Sequence, residues 1–196
     1  MNYLGHLYLS GNDTGLMQAN LYGDFIKGSN LSDLDPAIEK GIRLHRSIDH
    51  FIDNHKAVHE LLPILRTELP KVAGIAVDIY FDHLLAKNWS AFHPQPYTDY
   101  LDHIYKQLNV NDQRYNPAYL LFLQRLVQHR WINHYPTLDA IDRMSKNVSS
   151  QLSFPNQLVN GKSVFLMYEK VISDAFFEYM WAANEHFLTE KLRILS

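Results

Sequence analysis

Apolar positions along the chain recur at helical rather than strand spacing. The segment 71–89, KVAGIAVDIYFDHLLAKNW, sets the pattern. At about 3.6 residues per turn, Val72, Ala76, Ile79 and Tyr80 share one side, while Val77, Phe81, Leu84 and Leu85 cover much of the other. A helix that is apolar nearly all round is a buried helix. Asp78 and Asp82 fall in its remaining sector, one turn apart on one face, with His83 a step round. Two carboxylates about 6 Å apart repel by roughly 3 kcal/mol at an effective dielectric near 20, so the pattern predicts a cation between them.

The other elements follow in order. A short helix over 2–10 carries Tyr3, Leu4, Leu7 and Tyr8, with His6 among them. After the turn Ser10-Gly11-Asn12-Asp13, a second helix capped by Asp13 or Thr14 runs to Phe25 and Ile26, with Asp24 near its end and Lys27 just beyond. A polar linker leads to Pro36, a suitable first helical residue. The third helix extends to about 55 on a core stripe of Leu44, Ile48, Phe51 and Ile52. His45, Asp49 and Asp53 form a row along the flank of that stripe, and Arg43, Arg46 and His50 lie further round. A fourth helix over 56–69 contains Pro63 as a kink or break, and Pro70 opens the buried helix. Helices are predicted at 97–108, 117–134 and 138–148, a loop at 153–163, and one long helix or two over 165–195. In that last stretch Phe176, Phe177, Met180, Trp181, Phe187 and Leu188 are the expected apolar contacts. Strand signals are weak and neither a repeat nor a linker divides the chain. The expected fold is an all-α bundle forming one domain over 1–196.

Composition narrows the chemistry. The 196 residues are 46% hydrophobic, enough for one sizeable core. Eighteen Lys and Arg against 21 Asp and Glu leave a net charge of -3, which argues against general nucleic-acid binding. With no cysteine there is no thiolate metal site. A basic leader and a run of about 20 apolar residues are both missing, so a soluble, cytoplasmic protein with no membrane attachment is expected.

Polar residues with ligating atoms concentrate in the first 83 residues. A His and Asp set without sulfur suits Mn²⁺, Mg²⁺, Fe²⁺ or Zn²⁺, and such an ion polarises water for attack on a phosphoester. Lys27, Arg43 and Arg46 are the cations placed to hold a phosphate, the arginines by a bidentate fork. Other readings stand beside this one. His6 also fits a hydrogen-bonded core histidine, Asp53 a surface ion pair, and Asp78 and Asp82 a buried network with Arg43 or Arg46.

The segments ANLYGDFIKG at 19–28, GIRLHRSIDHFID at 41–53 and AGIAVDIYFDHLLAKNW at 73–89, with NYLGHLYLS before them, resemble successive blocks of the bacterial acyl carrier protein phosphodiesterase family. The resemblance implies hydrolysis of the phosphodiester that joins 4'-phosphopantetheine to a serine of holo-acyl carrier protein, an acidic partner, with Mn²⁺ favoured. It also implies a distant HD-domain-like relationship. HD enzymes carry adjacent His-Asp, whereas this chain has the reversed pair Asp82-His83, and His45 is followed by Arg46.

The resulting expectation is that Asp24, His45, Asp78, Asp82 and His83 bind one or two divalent ions. His6 and Asp49 either join them or brace them, and Lys27, Arg43 or Arg46 stabilises charge on phosphoryl oxygens. A hydrolase of nucleotides or alarmones and a non-catalytic helical module are the competing readings.

Overall fold

The computed structural model describes residues 1–195. Among them there is no strand, as the apolar spacing predicts. Helix α1 (Tyr3–Leu9) begins at Asn2, whose side chain accepts the Tyr3 N–H. Helix α2 (Thr14–Leu21) is capped by Asp13, which accepts from the Leu16 N–H at 3.0 Å. The expected continuation to Ile26 tightens instead into a 3₁₀ turn at Tyr22–Phe25. Gly23 in that turn lies against the His45 ring, so close that a Cβ there would fall 2.2 Å from the imidazole.

Helix α3 (Pro36–Asn54) has Asp35 as its cap and proline in its first turn. Helix α4 (Lys56–Arg66) continues past Pro63 to Arg66. The buried helix α5 (Ala73–Lys87) starts later than Pro70 because Lys71 takes a left-handed conformation with φ 66°. Helix α6 (Tyr97–Gln107) follows, then α7 (Pro117–His129), which ends earlier than predicted. Arg130 is left-handed at φ 47°, and a separate 3₁₀ turn occupies Trp131–His134. After α8 (Leu138–Gln151) the expected loop holds a short 3₁₀ turn and the start of α9 (Gly161–Met167), and α10 (Glu169–Leu195) closes the chain.

Helix α5 is the hub, packed against α1, α4, α8 and α10. Val77, Phe81, Leu84 and Leu85 are all sealed from solvent, each worth about 1.5–3 kcal/mol on burial. Phe176, Met180 and Phe187 of α10 join this core, while Trp181, 58% exposed, makes its expected apolar contact at the surface with its ring 5.5 Å from that of Phe92, and Leu188 is 69% exposed. No helix among the described residues is long and apolar enough to cross a membrane.

The pairing that positions the site is α2 on α3. Gly41 allows it, because a Cβ at 41 would lie 2.2 Å from the Ala19 Cβ and 2.8 Å from the Asn20 nitrogen. Gly41, His45 and Asp49 stand at successive turns of α3. The close approach at Gly41 therefore delivers the next two turns to the end of α2.

Candidate metal centre

His6 of α1 and His45 of α3 lie nearly parallel, with ring centroids 4.2 Å apart and 19° between planes. The Nδ1 atoms of both address one acceptor, Asn20 Oδ1, at 2.9 and 3.2 Å. The amide's orientation is fixed from its other end. Asn20 Nδ2 donates to Ser10 Oγ at 2.9 Å and to the His6 carbonyl at 3.4 Å, while the Ser10 hydroxyl donates to that same carbonyl. With both donors spent, Oδ1 accepts, and each histidine carries its proton on Nδ1.

The Nε2 atoms therefore point at Asp49, His6 at 3.2 Å from Oδ1 and His45 at 3.1 Å from Oδ2. Asp24, at the 3₁₀ turn after α2, reaches His45 Nε2 at 3.5 Å. Two lone-pair nitrogens facing two carboxylate oxygens repel unless a cation lies between them. In the metal-free chain a proton serves on one side. Burial alone would lower the His45 pKa, but hydrogen bonds to Asp24 and Asp49 outweigh it and raise the imidazole to about 9. Burial wins at His6, which falls below its ordinary 6.5 and stays neutral. Burial works against the Asp49 charge as well, yet its two histidine partners hold it far below the usual carboxylate range.

The donors fit a divalent ion. One ligating atom from each of His6, His45 and Asp49 lies within 4.8 Å of the others. Neighbouring ligands about 2.1 Å from one ion and at right angles to each other are roughly 3 Å apart, which is the spacing of these nitrogen and oxygen atoms. Asn20 supplies the outer hydrogen bond that ligating histidines ordinarily make.

The structure disposes of the other expected residues differently. The cation beside Asp78 is the Met1 α-ammonium, 2.9 Å from its carboxylate. Burial opposes that ammonium's charge, but Asp78, Asp49 and Asp82 keep its pKa above 8.0. Asp82 is fully buried and caps α1, its two oxygens accepting the Leu4 and Gly5 N–H groups at 2.8 and 3.1 Å. The first amides of a helix need such acceptors, and here one comes from 77 residues along the chain. Burial raises the Asp82 pKa to about 7, against the pull of the ammonium and the two amides. His83 turns toward α9 and the end of the 3₁₀ turn before α8, its Nδ1 donating to the Tyr135 carbonyl at 2.7 Å and its ring edge-on to Phe165. Burial lowers its pKa below 6.5.

Of the expected phosphate-binding cations, Arg43 is bound to Glu39 and Arg46 donates to the Gly28 carbonyl. Both line a surface cleft with His50 and Arg193. Lys27 is exposed and forms no hydrogen bond or ion pair among the described residues. Asp53 stands one turn beyond Asp49 without an ion pair to Lys56. Burial and the nearby charges of Asp78 and Asp49 raise its pKa.

Asn20 escaped the sequence reading. Its signal was its place one turn before Asp24, which sends a buried amide to the same side as that acid.

Comparison with known proteins places these residues in a family. The family model described as acyl carrier protein phosphodiesterase matches residues 1–183. Proteins named acyl carrier protein phosphodiesterase from Shigella boydii serotype 18, Enterobacter sp. strain 638 and Klebsiella pneumoniae strain 342 are 29%, 28% and 30% identical to the chain over 152 residues. Each alignment covers 77% of this chain and 79% of the relative. No solved structure matches the chain. The match over 1–183, which takes in α1, the turn bearing Asp24, α3 and α5, shows that this chain belongs to the acyl carrier protein phosphodiesterase family.

Proposed function

We propose that the protein hydrolyses the phosphodiester linking 4'-phosphopantetheine to the serine of acyl carrier protein, using a divalent ion held by His6, His45 and Asp49 with Asp24 at its edge. The observation that carries this reading is the convergence of both Nε2 atoms on the two Asp49 oxygens while Asn20 ties down both Nδ1 atoms. Family membership supplies the substrate class. The nitrogen and oxygen donors suit Mn²⁺, Fe²⁺, Mg²⁺ or Zn²⁺, and among these the resemblance to the family implies Mn²⁺.

When bound, the ion polarises water and phosphoryl oxygen. The remaining work belongs to side chains. Asn20 fixes the imidazoles with Nε2 inward, so no reorganisation is needed as charge develops. Asp53, one turn beyond Asp49 on α3 and with its pKa raised by burial and the charges of Asp78 and Asp49, is the acid placed to accept the proton lost by the attacking water. Lys27, free of partners among the described residues, offsets charge building on the phosphoryl oxygens. Breaking the bond from phosphorus to the serine oxygen, which takes up the proton lost by the water, releases the apo-carrier with its serine hydroxyl restored and leaves the phosphate on pantetheine. Asp78 and Asp82 serve this site by anchoring Met1 and capping α1, which carries His6.

The test uses purified protein, Mn²⁺ and holo-acyl carrier protein, with loss of the arm followed by mass spectrometry. His6→Ala and Asp49→Ala should each lose bound metal and at least a hundredfold in turnover while keeping a helical circular dichroism spectrum. Wild-type turnover in Asp49→Ala would refute the site. A wild-type enzyme that spares the carrier but cleaves a nucleotide would refute the substrate.

A further inference from the structure

Beside the metal centre a groove of about 750 Å³ runs between α7 and α8, within the roughly 300–1,000 Å³ typical of small-molecule sites. Ala118, Phe122 and Arg125 line it from successive turns of α7, and Ala140, Met144 and Asn147 from α8. The 3₁₀ turn bearing Trp131 closes one side, and Tyr3 and Phe25 form the wall toward the metal centre.

That wall belongs to the site's own elements. Phe25 follows Asp24 in the chain, and its ring lies 5.4 Å from that of Phe122. The Tyr3 ring lies 5.1 Å from that of Phe122, tilted by 45°, and burial with the charges of Asp24 and Asp82 pushes its hydroxyl pKa up to about 12. One aromatic layer therefore separates the acid at the edge of the centre from the floor of the groove.

The chemistry of the lining selects an occupant. No carboxylate lines the groove, so nothing in it repels an anionic phosphodiester. Arg125 makes no hydrogen bond or ion pair among the described residues, and Arg143 feels only the charge of Asp139. Two free guanidiniums, with the amides of Asn147 and Gln151, offer donors along a wall otherwise built from Phe25, Phe122, Trp131 and Met144. A flexible chain with an apolar branched carbon, two amide groups and a phosphate at one end matches this alternation.

We infer that the groove between α7 and α8 holds the pantetheine arm, with its phosphate end at the Tyr3 and Phe25 wall. This rests on the proposed substrate class but names a subsite that the metal ligands do not determine.

The experiment fills the groove from its exposed rim. Ala118→Trp changes a solvent-facing residue in the first turn of α7, and Leu121→Asp, at a position 47% exposed, is a second variant with a different effect on packing. Isothermal titration would measure 4'-phosphopantetheine, apo-carrier and Mn²⁺ binding to each, beside hydrolysis of bis-p-nitrophenyl phosphate, a diester with no arm. The expected result is at least tenfold weaker binding of 4'-phosphopantetheine in both variants, with Mn²⁺ affinity, apo-carrier affinity and cleavage of the small diester within twofold of wild type. The inference is overturned if wild type fails to bind 4'-phosphopantetheine, if both variants bind it normally, or if apo-carrier affinity falls as far, which would make the groove a seat for the carrier's surface. Arm binding that follows the groove in a protein unable to hydrolyse holo-carrier would overturn the proposed function and leave this subsite standing.

Discussion

At the scale of single residues, Asn20 decides which nitrogen of each histidine is available. Replacing it by alanine strands two buried Nδ1–H donors, and a buried unsatisfied donor costs about 1–3 kcal/mol. Loss of such an outer partner typically lowers metal affinity by about 10–100-fold. Asn20→Ala should show both effects, read by urea denaturation of the metal-free protein and by Mn²⁺ titration; an unchanged Mn²⁺ affinity would remove Asn20 from the site. The titratable members His6, Asp24, His45 and Asp49 were legible because helical spacing places ionisable groups beside apolar stripes. Asn20 was not, since an uncharged amide gives no electrostatic alarm. Asp78 and Asp82 show the converse limit. Their repulsion indicates that positive charge is needed nearby, but spacing cannot distinguish an inorganic ion from the chain's own ammonium, 2.9 Å from Asp78.

At the scale of elements, the site depends on how closely α3 approaches α2. Gly41→Ala would push a methyl to 2.2 Å from the Ala19 Cβ and 2.6 Å from its backbone carbon, neither of which yields easily. Overpacking of this kind costs about 1–3 kcal/mol, and the displacement carries His45 away from Asn20. The variant should lower the urea midpoint and weaken Mn²⁺ binding together. Gly74 provides the contrast. It lies in the first turn of α5 with nothing within 4 Å of an added Cβ, so Gly74→Ala should gain about 0.4–1 kcal/mol by restricting the unfolded chain. Equal behaviour of the two variants would show that the α2 and α3 contact is not limiting. The starts of α2, α3 and α7 were legible because Asp13, Pro36 and Pro117 mark them, whereas Pro70 misplaced the start of α5, which the left-handed Lys71 delays. The break at Arg130 was hidden, because a left-handed arginine ends α7 where glycine would have announced it.

For the whole molecule, folding, protons and metal compete through one imidazole. His45 titrates at 6.5 when unperturbed and at about 9 in the metal-free fold. A raised folded pKa means that the native state holds the proton more tightly, so this contribution to stability is complete below pH 6.5 and disappears as pH climbs through about 9. Asp82 has the same sign in a lower pH window. Its pKa rises from 3.8 to about 7, so its ionisation costs the fold stability between those values and changes little above them. The Met1 ammonium, raised above 8.0, adds a loss only beyond that point. Between pH 7 and 8 the metal-free melting temperature should therefore decline mainly through His45, and His45→Gln should flatten the decline. Mn²⁺ at His45 Nε2 must displace the same proton, so its affinity should rise toward tenfold per pH unit over this range. The shift in melting temperature on adding Mn²⁺ should then grow with pH while the metal-free protein weakens, because ligand stabilisation scales with the ratio of concentration to dissociation constant. A manganese shift that stays level from pH 6.5 to 8.5, at fixed metal and protein concentration, would exclude the His45 nitrogen as a ligand even if the enzyme remained active.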